Sequence, residues 1–197
     1  MKLLFATKNL NKANEIKDIL PKQIQIITLK DIGLEEDIPE TSKTIRGNAL
    51  QKVNFIKNHF KINCFAEDSG LEIDSLNGEP GVDSAIYAGK HRDDNDNINL
   101  VLKKLKSKAN RKAQFKTIIA LKINENIFEF EGVVNGTILL NRRGKNGFGY
   151  DSIFEPENCC KTFAEMNIHE KNYYSHRSKA ANKMITFLEK TINLSNT

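Results

Sequence analysis

Four short stretches of this 197-residue chain carry residue types that could do chemistry together. The first is Thr7-Lys8-Asn9-Leu10-Asn11-Lys12, lying between an apolar run and a helical pattern. A helix N-terminus there would offer unpaired N–H groups and positive potential to a phosphate, with Thr7 and Asn9 as added donors and Lys12 as a full charge. The plainer alternative is that Asn9 or Asn11 only caps the helix while Lys12 is solvated. No GxxxxGK[ST] occurs, so a P-loop is excluded as the phosphate device.

The second stretch is acidic: Glu35, Glu36, Asp37 and Glu40 in one loop, then Glu67-Asp68 further on. Carboxylates converging from separate segments are what Mg²⁺ needs, because it takes oxygen ligands, keeps waters and bridges to substrate phosphates. The alternative is a set of solvated acids, with Asp68 bonded to its own turn. The third is Gly144-Lys-Asn-Gly-Phe-Gly-Tyr-Asp151, whose glycines would let backbone approach a flat ligand and whose rings, Phe148 and Tyr150, could stack on a base or fill a core. The fourth runs from Lys171 to Ser175-His176-Arg177, a donor cluster suited to a carbonyl or a phosphate, or else a capped surface helix start. Jointly the four suit a magnesium nucleotide better than any of them does alone.

The elements that must position these residues follow from periodicity. Lys2–Thr7 reads as a strand, Ile16, Ile19 and Leu20 as a helix stopped by Pro21, and Gln23–Leu29 as a strand, giving a βαβ opening of a layered α/β domain. Ile45, Ala49, Val53, Ile56 and Phe60 form the stripe of an amphipathic helix. Cys64–Ala66 and Leu71–Ile73 predict two strands flanking Glu67-Asp68-Ser69-Gly70, which sets the acids where one strand ends and the next begins. Asn77–His91 reads as an irregular loop, and Asp93 or Asp94 as the cap of a helix reaching Leu105. Phe115–Ile123 and Ile127–Val134 predict a hairpin closed near Asn124-Glu125-Asn126, with Thr137–Leu140 continuing the sheet. Arg142–Tyr150 is a loop, and Ser175–Leu188 a closing helix with Ala180, Met184, Phe187 and Leu188 inward. No repeat or linker interrupts the chain, and 1–197 is expected to be one domain.

Composition bounds the class. Hydrophobics at 39% and charged residues at 28% suit a globular core and exclude disorder or a disulfide scaffold. Thirty Lys plus Arg against 25 Asp plus Glu leave +5, a mild excess for which a non-catalytic nucleic-acid-binding module stays open as an alternative. No apolar run nears the roughly 18 residues of a membrane span, and Leu3–Ala6 is too short for a signal-peptide core. Cys64, Cys159 and Cys160 lack metal spacing, and their odd number fits a reducing compartment. The expectation is a cytoplasmic protein with no membrane and no stable nucleic-acid partner.

In register, the segments resemble the inosine triphosphate pyrophosphatase family, the non-standard purine nucleoside triphosphate pyrophosphatases. The resemblance rests on Ala6-Thr7-x-Asn9-x-x-Lys12-x-x-Glu15, Glu40-Thr41, Asn48-Ala49-x-x-Lys52, and Glu67-Asp68-Ser69-Gly70-Leu71. It continues through Pro80-Gly81-Val82-x-Ser84-Ala85, Gly147-Phe148-Gly149-Tyr150-Asp151, Ala164-Glu165-Met166, and Lys171 with Ser175-His176-Arg177. It implies an elongated mixed β-sheet flanked by helices, with two lobes around a central nucleotide cleft, and a homodimer. It also implies Mg²⁺-dependent hydrolysis of ITP, dITP and XTP to the monophosphate and pyrophosphate. Carried onto this chain, Glu40 and Asp68 would be metal ligands and Asp68 the proton acceptor. Thr7, Asn9, Lys12, Lys52 and Ser69 would face the triphosphate. Phe148, Gly149, Tyr150, Asp151, Lys171, His176 and Arg177 would hold the base. The chain departs from the pattern at Glu67, where an Asp is usual, and at Lys8, where a Gly is. A pyrophosphatase for modified pyrimidine nucleotides, of related fold, is the alternative among enzymes.

Overall fold

The computed structural model describes residues 1–194, with side chains through Thr191. Among the described residues, six strands form one mixed sheet in the order β2-β1-β3-β4-β5-β6, flanked by five α-helices. The strands are β1 (Lys2–Phe5), β2 (Gln25–Ile27), β3 (Cys64–Ile73), β4 (Lys112–Ile123), β5 (Asn126–Ile138) and β6 (Phe154–Pro156). The helices are α1 (Leu10–Ile19), α2 (Ile45–His59), α3 (Asp94–Lys104), α4 (Ile168–Tyr174) and α5 (His176–Leu194). The expected α/β class is therefore the observed one. No helix among the described residues is long and apolar enough to cross a membrane.

The chain divides into two compact units. The first comprises Met1–Asp68, Thr117–Gly132 and the chain from Arg177 onward; the second comprises Ser69–Lys116 and Val133–His176.

In the first unit, β1 is a continuous apolar run, Leu3-Leu4-Phe5, as a strand buried on both faces must be. It pairs in parallel with β2 (Leu3 opposite Ile26) and with β3 (Leu4 opposite Cys64). The core gathers Leu3, Phe5, Phe65, Ile119 and Leu121 of the sheet with Ile16 of α1 and Ala180, Met184 and Leu188 of α5. The Phe5 and Phe65 rings stack at 4.3 Å. Helix α2 buries Ile45, Ala49, Val53 and Ile56 of the stripe predicted for it, while Phe60, the last of that stripe, is its half-buried C-cap.

In the second unit, Phe115, Phe154 and Phe163 form an aromatic cluster with centroids 4.7 to 6.1 Å apart. Leu71, Ile73, Val101, Leu105, Ile138 and Ile153 complete that core. Asp93 caps α3, its Oδ1 accepting from the Asp96 amide at 2.9 Å. Strand β5 pairs antiparallel with β6, Ile138 opposite Phe154.

Three features differ from the sequence expectation. The acids Glu67-Asp68 do not sit at a strand end: β3 runs unbroken through them, because Phe65 and Ala66 before them and Leu71 and Ile73 after them are all buried, which overrides the turn propensity of Asp-Ser-Gly. The closing helix is preceded by a separate short helix, α4, begun by a capping box between Asn167 and Glu170 and ended at Ser175. Lys171 thus stands on a different helix from His176 and Arg177. Finally, β2 is only three residues long where Gln23–Leu29 was expected as a strand.

Candidate functional site

In the first unit the Thr7–Lys12 turn is the N-terminus of α1. Asn9 is its N-cap: Oδ1 accepts from the Lys12 amide at 3.2 Å, and the Asn9 amide donates to Thr7 Oγ1 at 3.1 Å. The plainer reading of Asn9 is therefore also true, and capping fixes this turn.

Strand alternation turns Glu67 and Asp68 to opposite sides of β3. Glu67 is 1% exposed; its Oε2 accepts from Arg177 Nε at 2.8 Å, and its Oε1 lies 3.1 Å from Lys12 Nζ. Arg177 Nη1 also grips Glu15 Oε2. Burial alone would raise the Glu67 carboxyl, but Arg177 and Lys12 outweigh it and hold this group well below the usual carboxylate range. Glu67 is thereby committed to a run of alternating charges, Glu15, Arg177, Glu67, Lys12.

Asp68 has a different environment. Oδ2 accepts from Asn48 Nδ2 at 3.3 Å and Oδ1 lies 3.5 Å from Lys52 Nζ, which also binds Glu40 Oε1. Burial pushes the Asp68 carboxyl up, and neighbouring Glu40 adds to that, against the pull of Lys52 and Lys12. The loop bearing Glu40 is pinned to one face of α2. Asn48 Oδ1 takes the Ser42 amide at 2.9 Å, while Gln51 exchanges bonds with Thr41, Oε1 taking its amide at 2.9 Å and Nε2 giving to Oγ1 at 3.0 Å. Gly47 is required in that helix, since a Cβ there would meet Ser42 Oγ at 1.9 Å.

Among the described residues no cluster of three or more His, Cys, Asp or Glu is shaped for a metal ion. Two carboxylates from separate segments nonetheless converge on one ammonium, and two are what Mg²⁺ takes from a protein when phosphates and water supply the rest. The donor set of Glu40 and Asp68 fits that ion.

In the second unit the Arg142–Tyr150 loop is tied down at several points. The Lys145 and Asn146 amides both reach Ala164 O at 3.0 Å. The Phe148 amide reaches Asp151 Oδ2, and the Gly149 amide reaches Asp94 Oδ2, at 2.9 and 2.7 Å. Buried Asp151 pairs with buried Lys171 at 2.5 Å, and the Lys171 ammonium lies 4.9 Å from the centre of the Phe148 ring. Gly147 has φ +76°, and a Cβ on it would strike Asp151 Oδ2 at 2.1 Å. Tyr150 is a core residue, 4% exposed, its hydroxyl donating to Ser84 O at 2.8 Å. Of the two rings expected to stack on a ligand, only half-buried Phe148 stands outside that core cluster. His176 stacks on Phe115 at 4.7 Å and 9°.

The structure thus brings Thr7, Asn9, Lys12, Glu40, Lys52, Asp68 and Arg177 into the first unit, and Ser69, Phe148, Gly149, Tyr150, Asp151, Lys171 and His176 into the second. The sequence reading assigned no role to Asn48 or Glu15, and to Asp94 only that of a possible helix cap. For Asn48 and Glu15 the signal was available, as helical offsets of four from Lys52 and three from Lys12. Nothing local marks Asp94 as a loop anchor.

Residues 3–187 match the Ham1 family. A dITP/XTP pyrophosphatase of Flavobacterium psychrophilum is 50% identical over 189 residues, 96% of this chain and 100% of that protein. One from Thermoanaerobacter pseudethanolicus is 42% identical over 195 residues, 98% of each chain. Among solved structures, the Staphylococcus aureus Ham1 protein superposes with a TM-score of 0.89 at 36% identity, covering 97% of this chain and 100% of its own. A nucleoside-triphosphatase / dITP/XTP pyrophosphatase from Mycobacterium abscessus gives 0.77 at 37% identity, covering 94% and 99%.

Proposed function

The chain belongs to the Ham1 family, and from that premise we propose that it hydrolyses the non-standard purine nucleoside triphosphates ITP, dITP and XTP to the monophosphate and pyrophosphate, with Mg²⁺. Such a reaction removes deaminated purines before they enter DNA or RNA. The observation that carries the reading is the convergence of Glu40 and Asp68 on the Lys52 ammonium, beside a capped helix N-terminus.

Hydrolysis between the α- and β-phosphates asks a protein to position water, neutralise oxygens and accept a proton. When bound by Glu40 and Asp68, Mg²⁺ supplies charge neutralisation on the phosphates and acidifies coordinated water. Asp68, a buried carboxylate at the same site, accepts the proton. Asn48 holds its Oδ2, so the acceptor does not swing. Lys12, Lys52 and the N–H groups opening α1 offset charge on the departing pyrophosphate, with Thr7, Asn9 and Ser69 as donors.

The base falls to Phe148 through Asp151, Lys171, His176 and Arg177. Phe148 offers a face for stacking, stiffened by the Lys171 ammonium on it. Asp151 and Lys171, both buried and paired, serve chiefly to fix that loop. Tyr150 supports it from the core. His176 and Arg177 supply donors toward a 6-oxo group, the Arg177 guanidinium being oriented by Glu15 and Glu67. We further assign the protein to a cytoplasmic homodimer of single-domain protomers, with no stable nucleic-acid complex.

The deciding experiment is pyrophosphate release from dITP, ITP and XTP in Mg²⁺ or in EDTA, with ATP, GTP and modified pyrimidine triphosphates alongside. Metal-dependent release confined to the 6-oxo purines other than guanine is the expected outcome. Turnover of pyrimidines alone, or none, overturns the reading.

A further inference from the structure

Lys52 is a lysine in an unusual position. It is 6% exposed, it projects from the middle of α2, and its ammonium lies between two carboxylates of different segments, Glu40 and Asp68. Those are the two groups assigned above to the divalent cation, so the inference rests on that reading. An ammonium and a divalent cation repel strongly and need the same lone pairs. Both cannot sit between these oxygens. A lysine stem, however, has four flexible carbons and can carry its charge elsewhere.

We propose that Lys52 is a tethered stand-in for the metal. Without a bound cation it keeps Glu40 and Asp68 together and offsets their mutual repulsion. On loading, the cation evicts it, and the displaced ammonium finds a new anion in the triphosphate. Metal and nucleotide binding are coupled through this exchange. The cation alone must expel a paired lysine, whereas the cation with a triphosphate gives that lysine a replacement partner. By linkage the coupling acts equally in both directions. Lys12 provides the internal contrast, because its ammonium rests on Glu67 and not on either proposed ligand.

The test is Mn²⁺ binding in the absence of nucleotide, read from the free-ion signal in electron paramagnetic resonance. Lys52→Met should bind Mn²⁺ about tenfold tighter than wild type or better, since both carboxylates lose their resident cation. Lys12→Met should change the affinity by no more than about threefold, the share expected of a more distant charge. In thermal melts Lys52→Met should be destabilised without cation and gain more from millimolar Mn²⁺ than wild type does. Lys52→Gln, which keeps a hydrogen-bond donor, serves as the second variant should Lys52→Met fold poorly, and the same tightening is expected. Equal or weaker Mn²⁺ binding in the Lys52 variants overturns the proposal, as does an equal gain in Lys12→Met, which would mean general charge rather than occupancy. The two readings fail separately: wild-type turnover of dITP with Lys52-insensitive Mn²⁺ binding removes only the stand-in, whereas no Mn²⁺ binding by any variant removes Glu40 and Asp68 as the metal site.

Discussion

Glu67 and Asp68 are consecutive on β3, yet their carboxylates are held in opposite electrostatic conditions: Arg177 and Lys12 pull the first below the ordinary range, while burial raises the second. The two-residue period of a strand makes this separation available at no cost in sequence distance. One face of β3 builds a buried ion network, and the other carries the carboxylate proposed as the proton acceptor. The residue class is shared and the surroundings set the role.

Asp68→Asn keeps the shape of the side chain but removes its charge and basicity. Turnover of dITP should fall by roughly 10²–10⁴ from the lost proton acceptor alone. The melting temperature should stay within a few degrees of wild type. Retention of more than a tenth of the activity in a folded variant excludes Asp68 from that role.

Glu67→Gln leaves the Arg177 guanidinium short of a buried partner, and breaking such a pair costs about 3–5 kcal/mol. The pH dependence follows from the lowered folded-state value. The Glu67 contribution is fully present above the unfolded carboxylate range, about 4.3, and is lost as pH falls from there toward the folded value. Urea titrations at a series of pH values should show the gap between wild type and variant constant from pH 7 to 5 and narrowing below 4. A pH-independent gap would show that the carboxylate charge is not what stabilises.

Much of this arrangement was legible in the chain itself. The stripe of α2 and a cap at Asp93 or Asp94 followed from periodicity and capping chemistry. Of the two acidic segments singled out, Glu40 and Asp68 meet at Lys52, while Glu67 turns to Arg177 and Lys12. What was hidden depends on contacts distant in sequence. Arg177 was open to a donor role or to a solvated helix start, but two carboxylates, Glu15 and Glu67, claim it at 2% exposure. For Tyr150 the sequence left stacking and core packing both open, and the aromatic core behind the loop claims it, with Ser84 O taking its hydroxyl.

The glycine at 147 is a position where the loop geometry admits no side chain. Its φ is +76°, and the added carbon would displace Asp151 from Lys171 and from the Phe148 amide. Gly147→Ala should raise KM for dITP by about tenfold, consistent with about 1–3 kcal/mol of backbone strain, while Mn²⁺ affinity without nucleotide is unchanged. An unaltered KM would show that the Phe148 platform does not touch the base.

The three thiols should separate cleanly by reactivity. Cys64 is buried in β3, and desolvation pushes its thiol up to about 11, so little thiolate forms near neutrality. Cys160 is exposed and Cys159 is half-buried against the second core. Ellman's reagent at pH 8 should label Cys160 first and leave Cys64 unmodified until denaturant is added; rapid native-state labelling of Cys64 contradicts the burial of that strand.

Selectivity is the most demanding test of the base assignments. Hypoxanthine and xanthine carry an acceptor oxygen at C6, whereas adenine has an amino donor there. On the proposed assignment, donors from His176 and Arg177 would satisfy the first and face the second donor to donor. A site built around a buried hydrogen bond can reject the mismatched analogue by on the order of 10⁴, because its own polar groups are left unpaired. Guanine shares the C6 oxygen, so its exclusion must act at the 2-amino group. The ion network adds a complication that can be used. Because Arg177 also neutralises Glu15 and Glu67, Arg177→Ala removes structure together with any contact to base. Arg177→Lys separates the two, since it keeps a charge for the carboxylates but loses the planar fork of donors. In that variant kcat/KM on ITP should fall about tenfold or more and the ITP-to-ATP ratio should narrow, with the fold largely retained. An unchanged ratio in a folded Arg177→Lys would leave Arg177 as a strut for Glu67 and pass the reading of the base to His176.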